Sequence, residues 1–219
     1  SNPSNLNSEE ELKIFKKLSP DIVVVVAYGQ IIPKNFLDIV KFGFINIHAS
    51  LLPKWRGAAP IQRSIMNGDK KIGVSIMKIK EKLDSGPVLV SRELELDQNA
   101  THGEMEKKLS LMGADLLIES LKIIEAASSK FIDQMHSEAT YAKKIDKAEA
   151  KINWKLDANK VLSHIHGLSP SPGAWFEFEN ERFKVLRAKI STLNGKSSSV
   201  LDENLTIACK SNSIQILEL

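Results

Sequence analysis

The chain has 219 residues, 42% of them apolar and 26% charged, and a net charge of +3. That length holds one large domain or two small ones around a sizeable core. The single cysteine, Cys209, excludes an intramolecular disulfide framework, and no run of 18 apolar residues offers a membrane-spanning helix. No signal peptide is recognised, so a cytoplasmic protein is expected.

Taken in order, Ser8-Glu9-Glu10-Glu11 reads as a capping box that opens a helix to about Ser19, where Pro20 stops it. Asp21 to Ala27 (DIVVVVA) is a β-branched run of the kind a central parallel strand carries when both its faces are buried. Pro33 then fits the first position of a helix to about Lys41. Phe44 to His48 (FINIH) is a brief buried strand, and the strand–helix–strand order implies a right-handed crossover in a parallel sheet. Pro60 to Asn67 continues as helix, with Gly68 just past its end. Gly73–Ile79 and Pro87–Leu96 alternate as strands, the second of edge type, with Lys80–Gly86 as the loop between them. Thr101-x-x-Glu104 is a second capping box opening a long helix to about Ala126, with Met105, Leu109, Met112, Leu116 and Ile123 on or near its apolar side.

Residues 128–150 show no sustained periodicity and read as an ordered linker. Asp157 caps a short helix to about His166; His164 and His166, two apart on it, diverge by roughly 200° and do not share a metal. No metal site is read anywhere. From Ala174 onward four short strands (AWFEFE, RFKVLRA, LTIAC, SIQILEL) suggest a small barrel. Cys209, within LTIAC, reads as a packed residue and not a nucleophile. Residues 141–160 hold six Lys against three acidic residues, an excess equal to that of the whole chain. This is either a solvated face or a contact for a phosphate backbone.

Asn46 and His48 sit two apart on the 44–48 strand, so an amide and an imidazole face one space. By spacing alone they are either a hydrogen-bonded pair closing off the sheet or part of a site beyond the strand's carboxyl end. Asp84 in LDSG is equally a plain turn residue. Trp55 and Arg56 read as a loop aromatic folded onto the core and a surface charge, with no catalytic part.

The stretch NIHASLLPKWRGAAPIQ, followed by LDSG at 83–86, closely resembles the signature of the folate-dependent formyltransferases. Within that family RGAAPIQRSI and the linker TYAKKIDKAEAKINW look most like the branch that acts on methionyl-tRNA, and the resemblance runs from about Asp21 to Ala188. It implies an α/β fold: a Rossmann-like parallel-sheet catalytic domain over 1–127, a linker over 128–150, and an OB-like β-barrel over 151–219 that contacts tRNA. Against that family the chain is expected to lack the opening part of its first domain and to stop early at Leu219; Ser1-Asn2 reads as a cloning scar.

By the same resemblance, Asn46, His48 and Asp84 match the catalytic trio, and Ser50, Leu51, Leu52 and Pro53 match the folate-contacting loop. The backbone around 26–29 and 80–84 completes the pocket. The donor is 10-formyltetrahydrofolate, without a metal. The acceptor is initiator methionyl-tRNA, with Lys143, Lys144, Lys147 and Lys151 as its candidate contacts. A monomer with no membrane partner is expected. Two other readings stay open: a relative that formylates a small amine or serves water, and a tRNA-binding fragment without turnover.

Overall fold

The computed structural model describes residue 6 and residues 8–219; Ser1-Asn2 lies outside the described residues. Helix α1 (Glu9–Leu18) starts where the capping box places it, with the Glu11 N–H donating to Ser8 Oγ at 3.1 Å. Leu12 and Phe15 pack against a cluster of Ile32, Phe36, Val40 and Phe44, the Phe15 ring centroid lying 5.2 Å from that of Phe36. Strand β1 (Val23–Val25), helix α2 (Lys34–Leu37) and strand β2 (Phe44–His48) follow, and β1 runs parallel to β2 with Val25 opposite Asn46.

Next come β3 (Arg56–Gly57), α3 (Pro60–Asn67), β4 (Lys71–Lys78), β5 (Val88–Glu95), α4 (His102–Glu125) and β6 (Tyr141–Ala142). The main sheet has the order β1-β2-β4-β5 and is mixed, because β4 runs antiparallel to β2 with His48 opposite Ser75. Gly113 on α4 permits close approach to this sheet: a Cβ there would stand 2.9 Å from the Ile47 side chain. The second capping box is complete, Thr101 and Glu104 each accepting the other's backbone N–H, at 3.3 and 2.8 Å.

Two expectations are corrected here. Among the described residues the 21–27 run is not a central strand buried on both faces: β1 lies at the end of the sheet order, and Val24 and Val26 are 38% and 58% exposed. A β-branched run encodes a strand but not the neighbours that flank it. Helix α2 is also only four residues long, with Pro33 as its N-cap and not its first residue.

The described residues form two compact units. One gathers residues up to Gly57 with Gly73–Glu93 and Leu111–Tyr141; the other gathers Ala58–Ile72, Leu94–Ser110 and Ala142–Leu219. The second is built on α5 (Ala158–Leu168), which packs on α3 so closely that a Cβ on Gly167 would meet Met66 at 2.6 Å. Around it lie β7 (Ala174–Phe178), β8 (Glu181–Val185), β9 (Arg187–Ser191), β10 (Thr206–Ala208) and β11 (Ser213–Glu218). Ile165, Leu168, Val185 and Ile214 are fully buried in its core. Asp157 stands at the N-cap of α5 but does not cap with its side chain, which accepts the Ser211 hydroxyl at 2.7 Å. The expected barrel is not closed among the described residues: β7 and β8 form a ribbon, and β10-β11-β9 form a separate three-stranded sheet.

Candidate active site

Strand β2 delivers Asn46 and His48 to one face, and a short loop brings Asp84 to the imidazole. His48 is buried, and its Nε2 stands 2.9 Å from the Trp55 carbonyl. A carbonyl only accepts, so Nε2 carries the hydrogen and donates it. Nδ1 is left facing Asp84 Oδ2 at 3.8 Å. That is beyond a hydrogen bond and within reach of an ion pair once the ring is protonated. The Asp84 carboxylate is anchored elsewhere: its Oδ2 accepts the Gly57 N–H at 2.8 Å. Asp84 itself has a left-handed backbone, φ 43.

Arg56 corrects the sequence reading. It is not a surface charge but 3% exposed. Its Nε and Nη2 donate to Gln134 Oε1 at 3.0 and 2.7 Å, and Nη2 also reaches His136 Nδ1 at 3.0 Å. Gln134 Nε2 in turn donates to the carbonyls of Asp84 and Gly86, at 2.9 and 2.7 Å. Nothing in a lone glutamine of the linker signals this, since the pairing spans 78 residues of sequence.

The 50–53 loop is held by its own backbone and by Ser75 on β4. The buried Ser50 hydroxyl donates to the Lys54 carbonyl at 2.6 Å. Ser75 Oγ donates to the Ser50 carbonyl at 2.7 Å and accepts the Leu52 N–H at 3.2 Å. Leu51, Leu52 and Pro53 remain partly exposed. A cavity of about 380 Å³ lies instead against α2, the start of β2 and residues 78–81, lined among others by Lys34, Leu37, Phe44, Ile79 and Lys80. Phe44 opens β2 and His48 closes it, so this cavity lies at the opposite end of the strand from His48.

Lys143, Lys144 and Lys147 are exposed on a turn in the second unit. Arg63 fastens that turn, donating to the Lys143 and Lys144 carbonyls at 3.0 and 3.3 Å and gripping Glu149 with two bonds of 2.8 and 2.9 Å. The Arg63 bond holds the Glu149 carboxyl below its usual range. Lys151 is engaged differently, with Nζ 2.7 Å from Glu177 and 5.1 Å from the centre of the Trp175 ring. Burial pushes the His164 and His166 rings down and the Cys209 thiol up to about 11, which leaves Cys209 a protonated packing residue. No helix among the described residues is long and apolar enough to cross a membrane.

The formyl transferase family matches residues 1–121, and the formyl transferase C-terminal domain matches residues 144–219. The chain is 47% identical over 213 residues to a methionyl-tRNA formyltransferase of Pelagibacter ubique, covering 97% of this chain and 69% of that protein. It is 45% identical over 221 residues to the methionyl-tRNA formyltransferase of Bradyrhizobium diazoefficiens, covering 99% and 71%. Among solved structures it resembles HypX from Aquifex aeolicus in complex with tetrahydrofolic acid, with a TM-score of 0.75 at 21% identity, over 94% of this chain but only 36% of HypX. It also resembles WlaRD, a sugar 3N-formyl transferase solved with dTDP and 5-N-formyl-THF, with a TM-score of 0.74 at 20% identity, over 90% of this chain and 72% of that one. At such identities these last two speak for the fold alone.

Proposed function

This chain belongs to the formyl transferase family, and from that premise we propose that it moves the formyl group of 10-formyltetrahydrofolate to the α-amino group of methionyl-initiator tRNA, in preparation for translation initiation. The observation that carries the mechanism is His48 Nδ1 poised 3.8 Å from the Asp84 carboxylate beside Asn46 on the same strand.

The reaction is acyl transfer. The free amine attacks the formyl carbon, a new C–N bond forms, and the carbonyl oxygen becomes an oxyanion. The bond to N10 of the folate then breaks, and a proton lost by the amine ends on that nitrogen. Asn46 supplies an amide N–H to the oxyanion without needing any protonation state of its own. His48 Nδ1 is the ring atom open to a proton, because Nε2 is occupied by the Trp55 carbonyl. Asp84, fixed by Gly57, faces the ring when it is charged. No covalent enzyme intermediate is needed, in keeping with a buried, protonated Cys209.

In this reading the pterin end of the donor lies beyond the carboxyl end of β2, against the Ser50–Pro53 loop, with the backbone around 26–29 and 80–84 completing the pocket. Leu51–Pro53 line its approach, and Ser50 contributes by holding that loop in shape. On the acceptor side, Lys143, Lys144 and Lys147 meet the phosphate backbone of the tRNA, with Lys151 at their edge. The catalytic domain spans about 1–127 and is Rossmann-like; the segment 151–219 is OB-like, with β7–β11 as its strands. The enzyme works as a cytoplasmic monomer.

Formyl transfer from 10-formyltetrahydrofolate to methionine-charged initiator tRNA, measured beside His48→Ala, tests this. Transfer that is lost in the variant supports it. Transfer to a small amine but not to the charged tRNA refutes the acceptor, and tRNA binding without any turnover refutes the catalytic reading.

A further inference from the structure

Gln134 belongs to none of the motifs that mark the site, yet its side chain grips the backbone of the Asp84 turn from within the first unit. It is 8% exposed. Both hydrogens of Nε2 are used, one on the Asp84 carbonyl at 2.9 Å and one on the Gly86 carbonyl at 2.7 Å. Its Oε1 takes two bonds from the Arg56 guanidinium. This arrangement fixes which way the amide points: a flipped amide would set its oxygen against two carbonyls and its NH₂ against a cation.

The grip matters because of the turn it holds. Asp84 sits at φ 43, a left-handed conformation that aspartate tolerates and that its neighbours hold. From one side, the strand residue Gly57 binds the carboxylate. From the other, Gln134 binds the carbonyl of the same residue. Two carbonyls two residues apart call for one neutral group with two donors and no net charge, and among side chains a primary amide meets that need.

We infer that Gln134 is a positioning residue for formyl transfer: it sets the Asp84 turn so that the carboxylate faces His48. The inference rests on the catalytic part proposed for Asp84. Gln134→Glu separates its two bonds, because the carboxylate still accepts from Arg56 while its other oxygen repels both carbonyls. Gln134→Leu would also take the Oε1 acceptor from Arg56, and so it serves only as a folding comparison.

The experiment is a double-mutant cycle in the intact protein, with Gln134→Glu, Asp84→Asn and the pair, reading kcat and KM for methionyl-tRNA. Gln134→Glu should lower kcat roughly 100-fold, the effect expected of an ångström of misplacement, with KM changed by no more than about twofold. On top of Asp84→Asn it should cost nothing further. Losses that multiply, or a wild-type kcat in Gln134→Glu, overturn the inference. A wild-type kcat in Asp84→Asn overturns the catalytic reading of Asp84 and removes any role exercised through it. Should Gln134→Glu fail to fold, Gln134→Asn, whose amide stops one methylene short of both carbonyls, carries the same cycle.

Discussion

Gly57 donates its backbone N–H to the Asp84 carboxylate at 2.8 Å, whereas His48 stands 3.8 Å from the same oxygen. The carboxylate is therefore held by backbone and is not consumed by the imidazole. Asp84→Asn keeps an oxygen for Gly57 and loses only the charge and the basic site. It should fold normally and turn over about 10²- to 10⁴-fold more slowly, the usual worth of general acid–base assistance. Single-turnover formyl transfer reads this directly, and a wild-type rate removes Asp84 from the chemistry.

Gly86 stands at the end of the Asp84 loop, just before β5, packed against the last residue of β4. A Cβ on it would lie 1.8 Å from the Lys78 carbonyl oxygen, which belongs to backbone and has nowhere to go. Gly86→Ala should cost both soluble yield and transfer activity. Normal yield together with normal kcat would contradict the turn described here.

Stability should fall on mild acidification. Burial holds the rings of His102, His164 and His166 below their ordinary 6.5. Below that pH the unfolded chain takes up protons that the folded chain refuses, so stability is full above 6.5 and declines as pH drops beneath it. Glu104 and Glu149, both held low by hydrogen bonds, add their losses at lower pH still. The melting midpoint by circular dichroism should be clearly lower at pH 5 than at pH 7, and an unchanged midpoint would refute the argument.

Arg63 and the lysines it supports should fail differently. Lys143→Ala removes one phosphate contact and should flatten the slope of log affinity for tRNA against log salt by about 0.7 to 0.9. Arg63→Ala unfastens the 143–149 turn without removing a phosphate contact, so affinity should weaken with the slope retained. Filter binding across a salt series separates the two, and identical slopes in Lys143→Ala and wild type would exclude Lys143 from the contact.

Elements written in local chemistry were legible in the sequence. The two capping boxes start α1 and α4 at Glu9 and His102, Gly68 ends α3 in a left-handed C-cap at φ 73, and alternation puts Asn46 and His48 on one face of β2. What depends on distant partners was not. The place of β1 at the sheet's end among the described residues is set by which strands pair, not by Val23–Val25 themselves. Burial of Arg56 depends on Gln134, 78 residues away, and a guanidinium so satisfied looks the same in sequence as one in water. Four C-terminal strands were visible, but the division of the RFKVLRA run into β8 and β9, and the grouping of the five strands into a ribbon and a separate sheet, were not.

The backbone at Asp84 restricts that position as strictly as the proposed reaction does. A left-handed φ of 43 is comfortable for glycine and tolerable for asparagine and aspartate, while other residues would give up about 1–2 kcal/mol to enter it. A proton-accepting carboxylate is offered only by aspartate and glutamate. The two sets share one member. If Asp84 is the base proposed above, drift at this codon has no neutral exit: every replacement that keeps the turn empties it of a carboxylate, and the one that keeps a carboxylate bends the turn.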